Sequence, residues 1–229
     1  MRHIPTTMLK PLVVWGAKGQ AKVLREYLGS IGYRLVATFD NQEGLPAPFA
    51  DVPLYHGERG FREWRKEYVE QHVACLVAIG GPNGRVRVAI QRFLGSNGLV
   101  PIVAVHPSAF VASDAVIGPG CQVLAQAAVC AEVQMGEACI INTAASVDHE
   151  SVLGDGVHVA PGAVLTGCVQ VGDHSMIGAG AVVLPRIKIG KDVVVGAGAV
   201  VTRDIMDGKV VYGIPARVMF ENTSPRSES

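Results

Sequence analysis

The stretch IGAGAVVLPRIKIGKDVVVGAGAVV, residues 177–201, repeats its opening eighteen positions on, as Ile177-Gly-Ala-Gly-Ala-Val and then Val195-Gly-Ala-Gly-Ala-Val. A related copy, Val159-Ala-Pro-Gly-Ala-Val, stands eighteen positions before. Outward from these, an aliphatic residue occupies every sixth position: Val105, Val111, Ile117, Val123, Val129, Met135, Ile141, Val147, Leu153, Val159, Leu165, Val171, Ile177, Val183, Ile189, Val195 and Val201. Even if a third or more of the residues were aliphatic, such an unbroken run would arise by chance at odds below roughly one in a million.

Four residues after each anchor sits a small or aliphatic residue, as at Ala115, Cys121, Ala127, Val133, Cys139 and Ala145, so each hexad buries two side chains and exposes the rest. Period six fits neither the 3.6 of an amphipathic helix nor a heptad. Six within eighteen describes a coil with three flat sides. Short strands meet at glycine-rich corners and stack roughly 4.8 Å apart, and no coil buries its apolar face alone. About five coils fit the repeat.

At 229 residues, 49% hydrophobic and 17% charged, the chain has room for two domains and a composition far from disorder. Twenty basic and twenty acidic residues cancel without a Lys/Arg cluster, which argues against a nucleic-acid partner. The five cysteines are odd in number and lack a Cys-x-x-Cys spacing; Cys121 and Cys139 occupy core slots one coil apart, as buried thiols do in a reducing compartment. Met1 to Pro11 holds no apolar leader segment, and the longest apolar stretch, Val193 to Val201, is interrupted by glycine. A soluble, cytoplasmic protein is expected, with no membrane partner.

Residues 1–104 follow a different pattern. Leu12 to Trp15 reads as a strand, Gly16-Ala17-Lys18-Gly19 as a turn, and Ala21 to Leu28 as a helix. Leu35 to Phe39 is a second strand ending at Asp40-Asn41. Phe61 to Gln71 reads as a helix with Phe61, Trp64 and Tyr68 on one face, and Cys75 to Ile79 as a strand ending at Gly80-Gly81. Alternating strands and helices imply a small Rossmann-like parallel sheet, with ligands beyond the carboxyl ends of its strands. Gly16, Lys18, Gly19, Gln20, Asp40, Asn41, Gly80 and Arg85 fall at that edge and are the candidate substrate-binding residues. The turn lacks a full G-x-G-x-x-G and any following Gly-Lys-Ser/Thr, so it is not a P-loop.

A glycine-turn domain followed by a hexapeptide solenoid resembles the bacterial acetyltransferases of nucleotide-linked amino sugars, with the sialic acid O-acetyltransferases as relatives. The likeness is carried by Val14-Trp-Gly-Ala-Lys-Gly-Gln-Ala-Lys-Val, Ala78-Ile-Gly, Val105-His-Pro-Ser-Ala, Ile141-Asn-Thr, Val147-Asp-His-Glu and Tyr212-Gly-Ile-Pro-Ala-Arg-Val. It implies a left-handed parallel β-helix over 105–220, a nucleotide-sugar domain over 1–104 and a flexible tail over 221–229. It also implies a homotrimer with sites between subunits, acetyl-CoA as co-substrate, no metal, and a place in surface glycan assembly. By the resemblance His149 is the general base, Glu150 or Asp148 orients it, Asn142 neighbours the reacting groups, His158 meets the thioester end of acetyl-CoA, and Ala179 and Ala197 line its path. Two departures stand out: Gly19-Gln20 where relatives often carry Gly-His, and Asp40-Asn41 where they often carry two acids.

The spacing supports His149 independently. It lies two residues after Val147, at a corner, and the residues one coil away on either side, Ala131 and Gly167, are small and leave a hollow. Imidazole, with an ordinary pKa near 6.5, is mostly neutral near pH 7 and suits proton removal from an attacking amine. A sugar hydroxyl would use the same base and cofactor, so N- and O-acetylation both stay open here, as do the nucleotide and the sugar. A zinc lyase on the same solenoid would need three converging histidines, and His149, His158 and His174 lack that spacing. A non-catalytic nucleotide-sugar binder would not need the base and its hollow.

Overall fold

The computed structural model describes residues 9–68 and 72–222. The described residues form two compact units, those within 1–79 together with 89–102, and those within 80–88 together with 103–222. Among the described residues no helix is long and apolar enough to cross a membrane.

The first unit is a five-stranded parallel sheet. Its strands are β1 (Lys10–Trp15), β2 (Tyr33–Asp40), β3 (Leu54–His56), β4 (Ala74–Val77) and β5 (Val100–Pro101), in the order β3-β2-β1-β4-β5. Leu12, Val13 and Val14 are wholly buried because β1 is central and covered on both faces, which is why it reads as a continuous apolar run. Helix α1 (Gly19–Leu28) follows β1, and α2 (Gly57–Glu67) follows β3. Trp15, Phe39, Phe61 and Trp64 form an aromatic core, with Trp15 and Phe39 stacked at 5.5 Å and Phe39 edge-on to Trp64 at 5.5 Å.

The helix expected over Phe61 to Gln71 starts earlier, at Gly57, and ends at Glu67. Two glycines mask its beginning: Gly57 turns out of β3 with φ +57°, and Gly60 packs on Tyr55, whose Cβ would lie 2.9 Å from a Cβ at Gly60. Tyr68 leaves helical geometry, and residues 69–71 lie outside the described residues. Strand β3 and helix α3 (Gly84–Ser96) are absent from the sequence expectation; the alternation Arg85, Val86, Arg87, Val88 hides the start of α3 behind a strand-like period.

The solenoid is a left-handed parallel β-helix of seventeen two-residue strands, from Ala104–Val105 to Val200–Val201, and every anchor is the second residue of its strand. Up to the last coil, each strand pairs in parallel with the one eighteen residues on, as Val129 with Val147 and Ile141 with Val159, which gives the three flat sheets. Anchors and small residues form one column of core, with Val147, Val159, Leu165 and Ala163 wholly buried. At the corners the third turn residue has positive φ, as at Gln126, Ala144, Glu150 and Cys168, and amide groups return to the first carbonyl, as from Ala145 to Asn142 at 3.0 Å.

Two boundaries differ from expectation. Residues 80–88, expected within the 1–104 domain, group with the solenoid and not with the sheet. Glu221 belongs to the strand Arg217–Glu221, paired antiparallel with Lys209–Tyr212, and the Asn222 side chain donates to Asp192 O at 2.8 Å, so the chain keeps its order past 220. Residues 223–229, the rest of the expected tail, lie outside the described residues.

Arg87 explains much of the hold of 80–88 on the coils. It is fully buried, and it donates through Nε to Ala138 O at 2.7 Å and through a terminal nitrogen to Gly156 O at 2.6 Å. Ala138 and Gly156 are positive-φ corner residues of successive coils. Burial pulls the guanidinium pKa down to about 10, still cationic at neutral pH. Replacing Arg87 with Met should strand two buried carbonyls and lower stability by about 2–4 kcal/mol, read as an earlier urea midpoint at an unchanged m-value.

Candidate active site

His149 occupies the corner after strand Ser146–Val147, held by a backbone laced to its neighbours. Asp148 N–H donates to Leu165 O at 2.9 Å, Glu150 N–H to Ala131 O at 2.9 Å, and His149 O accepts from Cys168 N–H at 2.8 Å. Glu150 takes the left-handed turn position, φ +57°, and this folds its side chain back: Oε2 lies 2.9 Å from His149 Nδ1. Asp148 turns the other way and accepts the His149 backbone N–H at 2.8 Å. Of the two carboxylates left open by the sequence, Glu150 is the one that meets the ring.

With Nδ1–H donated to Glu150, the neutral ring keeps its lone pair on Nε2. That edge lies over Gly167, where any Cβ would overlap Nε2 and Cε1. The hollow foreseen from the glycine is thus filled by the imidazole itself. Side-chain exposure is 53% for His149 and 56% for Glu150, so the pair is open to a ligand. The hydrogen bond from His149, with a second from the Cys168 thiol at 3.7 Å, holds the Glu150 carboxyl below its ordinary range and keeps it ionised. Cys168 is not among the sequence candidates, although it stands one coil, eighteen residues, from Glu150.

Asn142 and His158 form a second cluster. Asn142 Oδ1 accepts the Thr143 N–H at 2.8 Å, and Nδ2 lies 3.1 Å from His158 Nε2. Gly81 N–H donates to His158 Nδ1 at 2.9 Å. His158, expected at the cofactor, is only 5% exposed and faces Asn142 and Gly81. Burial, assisted by the charge of Arg87, pulls its pKa down to about 4, so the ring is neutral at physiological pH. Asn142 and His149 do not meet within one chain: strand Ser146–Val147, a full side of the coil, separates their corners.

His158 gives a pH test. Its folded value of about 4 lies below its ordinary 6.5, so between these the unfolded chain binds the extra proton and stability falls as pH drops through that window. The loss at pH 4 should be about 3 kcal/mol relative to pH 7, and His158→Gln should flatten that part of a stability-versus-pH curve.

Ala179 and Ala197 are exposed second residues of successive corners, stacked by the pairing of Ile177 with Val195, and Gly198 N–H donates to Ala179 O at 2.8 Å. Arg85, expected near phosphates, instead forms a two-pronged ion pair with Asp192, with Nε at 2.8 Å from Oδ1. Gly80 belongs with the solenoid, its carbonyl accepting from Asn83 at 2.8 Å and its Cα side facing the His158 ring.

The remaining candidates stand at the carboxyl edge of the sheet. Gly16, with φ +112°, runs so close to Ala78 that a Cβ would overlap its carbonyl oxygen, which gives the glycine a structural reason. Asp40, at the end of β2, accepts Ala17 N–H at 2.9 Å and Gln42 N–H at 2.9 Å, so its carboxylate braces the turn. Lys18 donates to Gln42 at 2.8 Å. Gly19 and Gln20 open α1, which has neither a side-chain cap nor an acidic residue in its first turn, and Asn41, next after Asp40, is exposed.

Residues 168–203 match the family model "Bacterial transferase hexapeptide (six repeats)". No curated protein matches the chain. Among the solved structures that resemble it over 92% of its length are the following. One is a histidine variant of perosamine N-acetyltransferase from Caulobacter crescentus, in complex with CoA and GDP-perosamine (33% identity, TM-score 0.84, 97% of that chain covered). The second is the acetyltransferase domain of PglB from Neisseria gonorrhoeae FA1090, in complex with acetyl coenzyme A (33%, 0.82, 100%). The third is WeeI from Acinetobacter baumannii AYE (26%, 0.73, 100%). With a hexapeptide solenoid that follows a small parallel sheet in the sequence, matched at this identity over nearly its whole length, the chain belongs to the bacterial hexapeptide-repeat sugar N-acetyltransferases and is an acyltransferase.

Proposed function

We propose that this protein transfers the acetyl group of acetyl-CoA to the amino group of a nucleotide-linked amino-deoxysugar, with His149 as general base. The observation that carries the reading is the His149–Glu150 pair, with Nδ1 engaged at 2.9 Å and Nε2 left as the acceptor. The uncharged sugar nitrogen attacks the thioester carbonyl, His149 Nε2 takes the proton the nitrogen loses, and the tetrahedral intermediate collapses to amide and free CoA thiol. Glu150, ionised beside the ring, fixes the tautomer and stabilises the imidazolium that forms. The chemistry needs no metal. Glu150→Gln should lower turnover by about tenfold, less than loss of the ring itself, in a steady-state thiol-release assay.

The pantetheine arm runs along the solenoid past Ala179 and Ala197, where larger side chains would obstruct it. Asn142 faces the reacting groups, and His158 acts through it as a positioning residue. Because Asn142 and His149 stand at successive corners, a second copy must bring its own corner to complete a site, which favours the homotrimer. The uncapped start of α1 at Gly19, with Gly16, Lys18, Gln20 and Asn41 around it, is the place for the nucleotide's phosphates. Arg85 and Asp40 are engaged elsewhere and support that site indirectly.

The perosamine enzyme's complex with GDP-perosamine favours a nucleotide-linked 4-amino sugar, and with it a role in surface glycan assembly on the cytoplasmic side. The test is a panel of UDP-, dTDP- and GDP-linked 4-amino-4,6-dideoxysugars with acetyl-CoA, followed by free thiol. Turnover with one of these and none with free sialic acid supports N-acetylation; the reverse pattern would assign O-acetylation of a free sugar.

A further inference from the structure

His149, Glu150 and Cys168 offer three different ligand atoms at one corner, an imidazole nitrogen, a carboxylate oxygen and a sulfur, all within 4.8 Å of one another. Nδ1 lies 2.9 Å and Sγ 3.7 Å from the same oxygen, Glu150 Oε2. A tetrahedral zinc ion with bonds of about 2.0–2.3 Å needs ligand atoms roughly 3.3–3.7 Å apart, so the ion enters when the Nδ1–Oε2 contact opens and the Nδ1–Sγ pair, which lies within 4.8 Å, draws in to that span by side-chain rotation at the half-exposed corner. The corner is half exposed, which leaves an entry path and a fourth position for water. Carboxylates stack beneath it at one-coil spacing, Glu132 and Asp114, and Asp148 flanks it; Arg186, one coil on from Cys168, is an opposing charge.

We propose that this corner is an inhibitory site for a thiophilic divalent cation of the zinc class, bound by His149 Nδ1, the Glu150 carboxylate and the Cys168 thiolate. The inhibition rests on the reading of His149 as base. On binding, the Cys168 thiol releases its proton to solvent, and the metal takes the Nδ1 lone pair. The ring's single proton then sits on Nε2. The nitrogen that accepts the amine proton becomes a donor, so an occupied site cannot serve the reaction. The metal here is a regulator and not a cofactor, since the free corner is the competent one.

Cobalt(II) serves as the spectroscopic probe and zinc as the inhibitor, both on the full-length protein. The expected result is a thiolate-to-cobalt charge-transfer band that zinc displaces, and turnover lowered about tenfold or more by micromolar zinc and restored by a chelator. Cys168→Ser should abolish the band and relieve zinc inhibition by about tenfold or more, with inhibition in each protein measured against that protein's own metal-free turnover. Absence of the band in the wild type, or its persistence in Cys168→Ser, overturns the site while leaving the base assignment to its own tests. A band lost in Cys168→Ser but unaccompanied by inhibition overturns the inhibitory role and contradicts His149 as base.

Discussion

Replacing His149 with alanine is expected to lower turnover by about a hundredfold or more while leaving the solenoid folded. Nothing in the structure makes the ring a support for the coil. It is half exposed, its hydrogen bond runs to the adjacent residue, and the corner is secured by backbone bonds that alanine keeps. What alanine removes is the acceptor for the proton that the attacking nitrogen must lose. Turnover within a few-fold of wild type, with an unchanged circular dichroism melt, would reject the assignment.

Gly167→Ala should have an effect of similar size from a residue that carries no functional group. A methyl there would overlap Nε2 and Cε1 of His149, so the imidazole has to swing away, and the Nδ1–Glu150 contact is lost with it. Gly167 does not use a left-handed backbone, so alanine suits its conformation and the coil should persist. Misplacement of a catalytic group by about an ångström can cost on the order of a hundredfold, and turnover should fall by about that much with little change in CoA affinity. Because both changes act on the same ring, they should not add. In a His149→Ala background Gly167→Ala should do almost nothing, and a full additive loss in the double variant would show that Gly167 acts elsewhere.

The parts of this molecule that are periodic were legible in its sequence. All seventeen anchors are the inward residues of seventeen strands, because a solenoid repeats one local solution and neighbours only its own copies. The corner position of His149 and the small residue beside it follow from the same spacing. The choice between Asp148 and Glu150 does not: it depends on which turn residue adopts positive φ, a property of the corner's geometry. Longer-range events were hidden as well. Arg85 finds Asp192 across 107 residues, and Arg87 is buried against coil carbonyls 51 and 69 residues away. Those pairings follow from the packing of 80–88 in the solenoid unit, which no motif announces. Cys168 stands one coil from Glu150, so the same eighteen-residue spacing that stacks the core also brings its thiol to the corner.

The most direct measurement is the crystal structure of the protein with CoA and its nucleotide-linked amino sugar, read at the distance from His149 Nε2 to the sugar nitrogen. A hydrogen-bond separation of about 2.6–3.2 Å, with Nδ1 still held by Glu150, is the result expected of a base poised for the amine. A sugar nitrogen beyond about 5 Å with no water between, or an imidazole turned from the CoA sulfur, would contradict it.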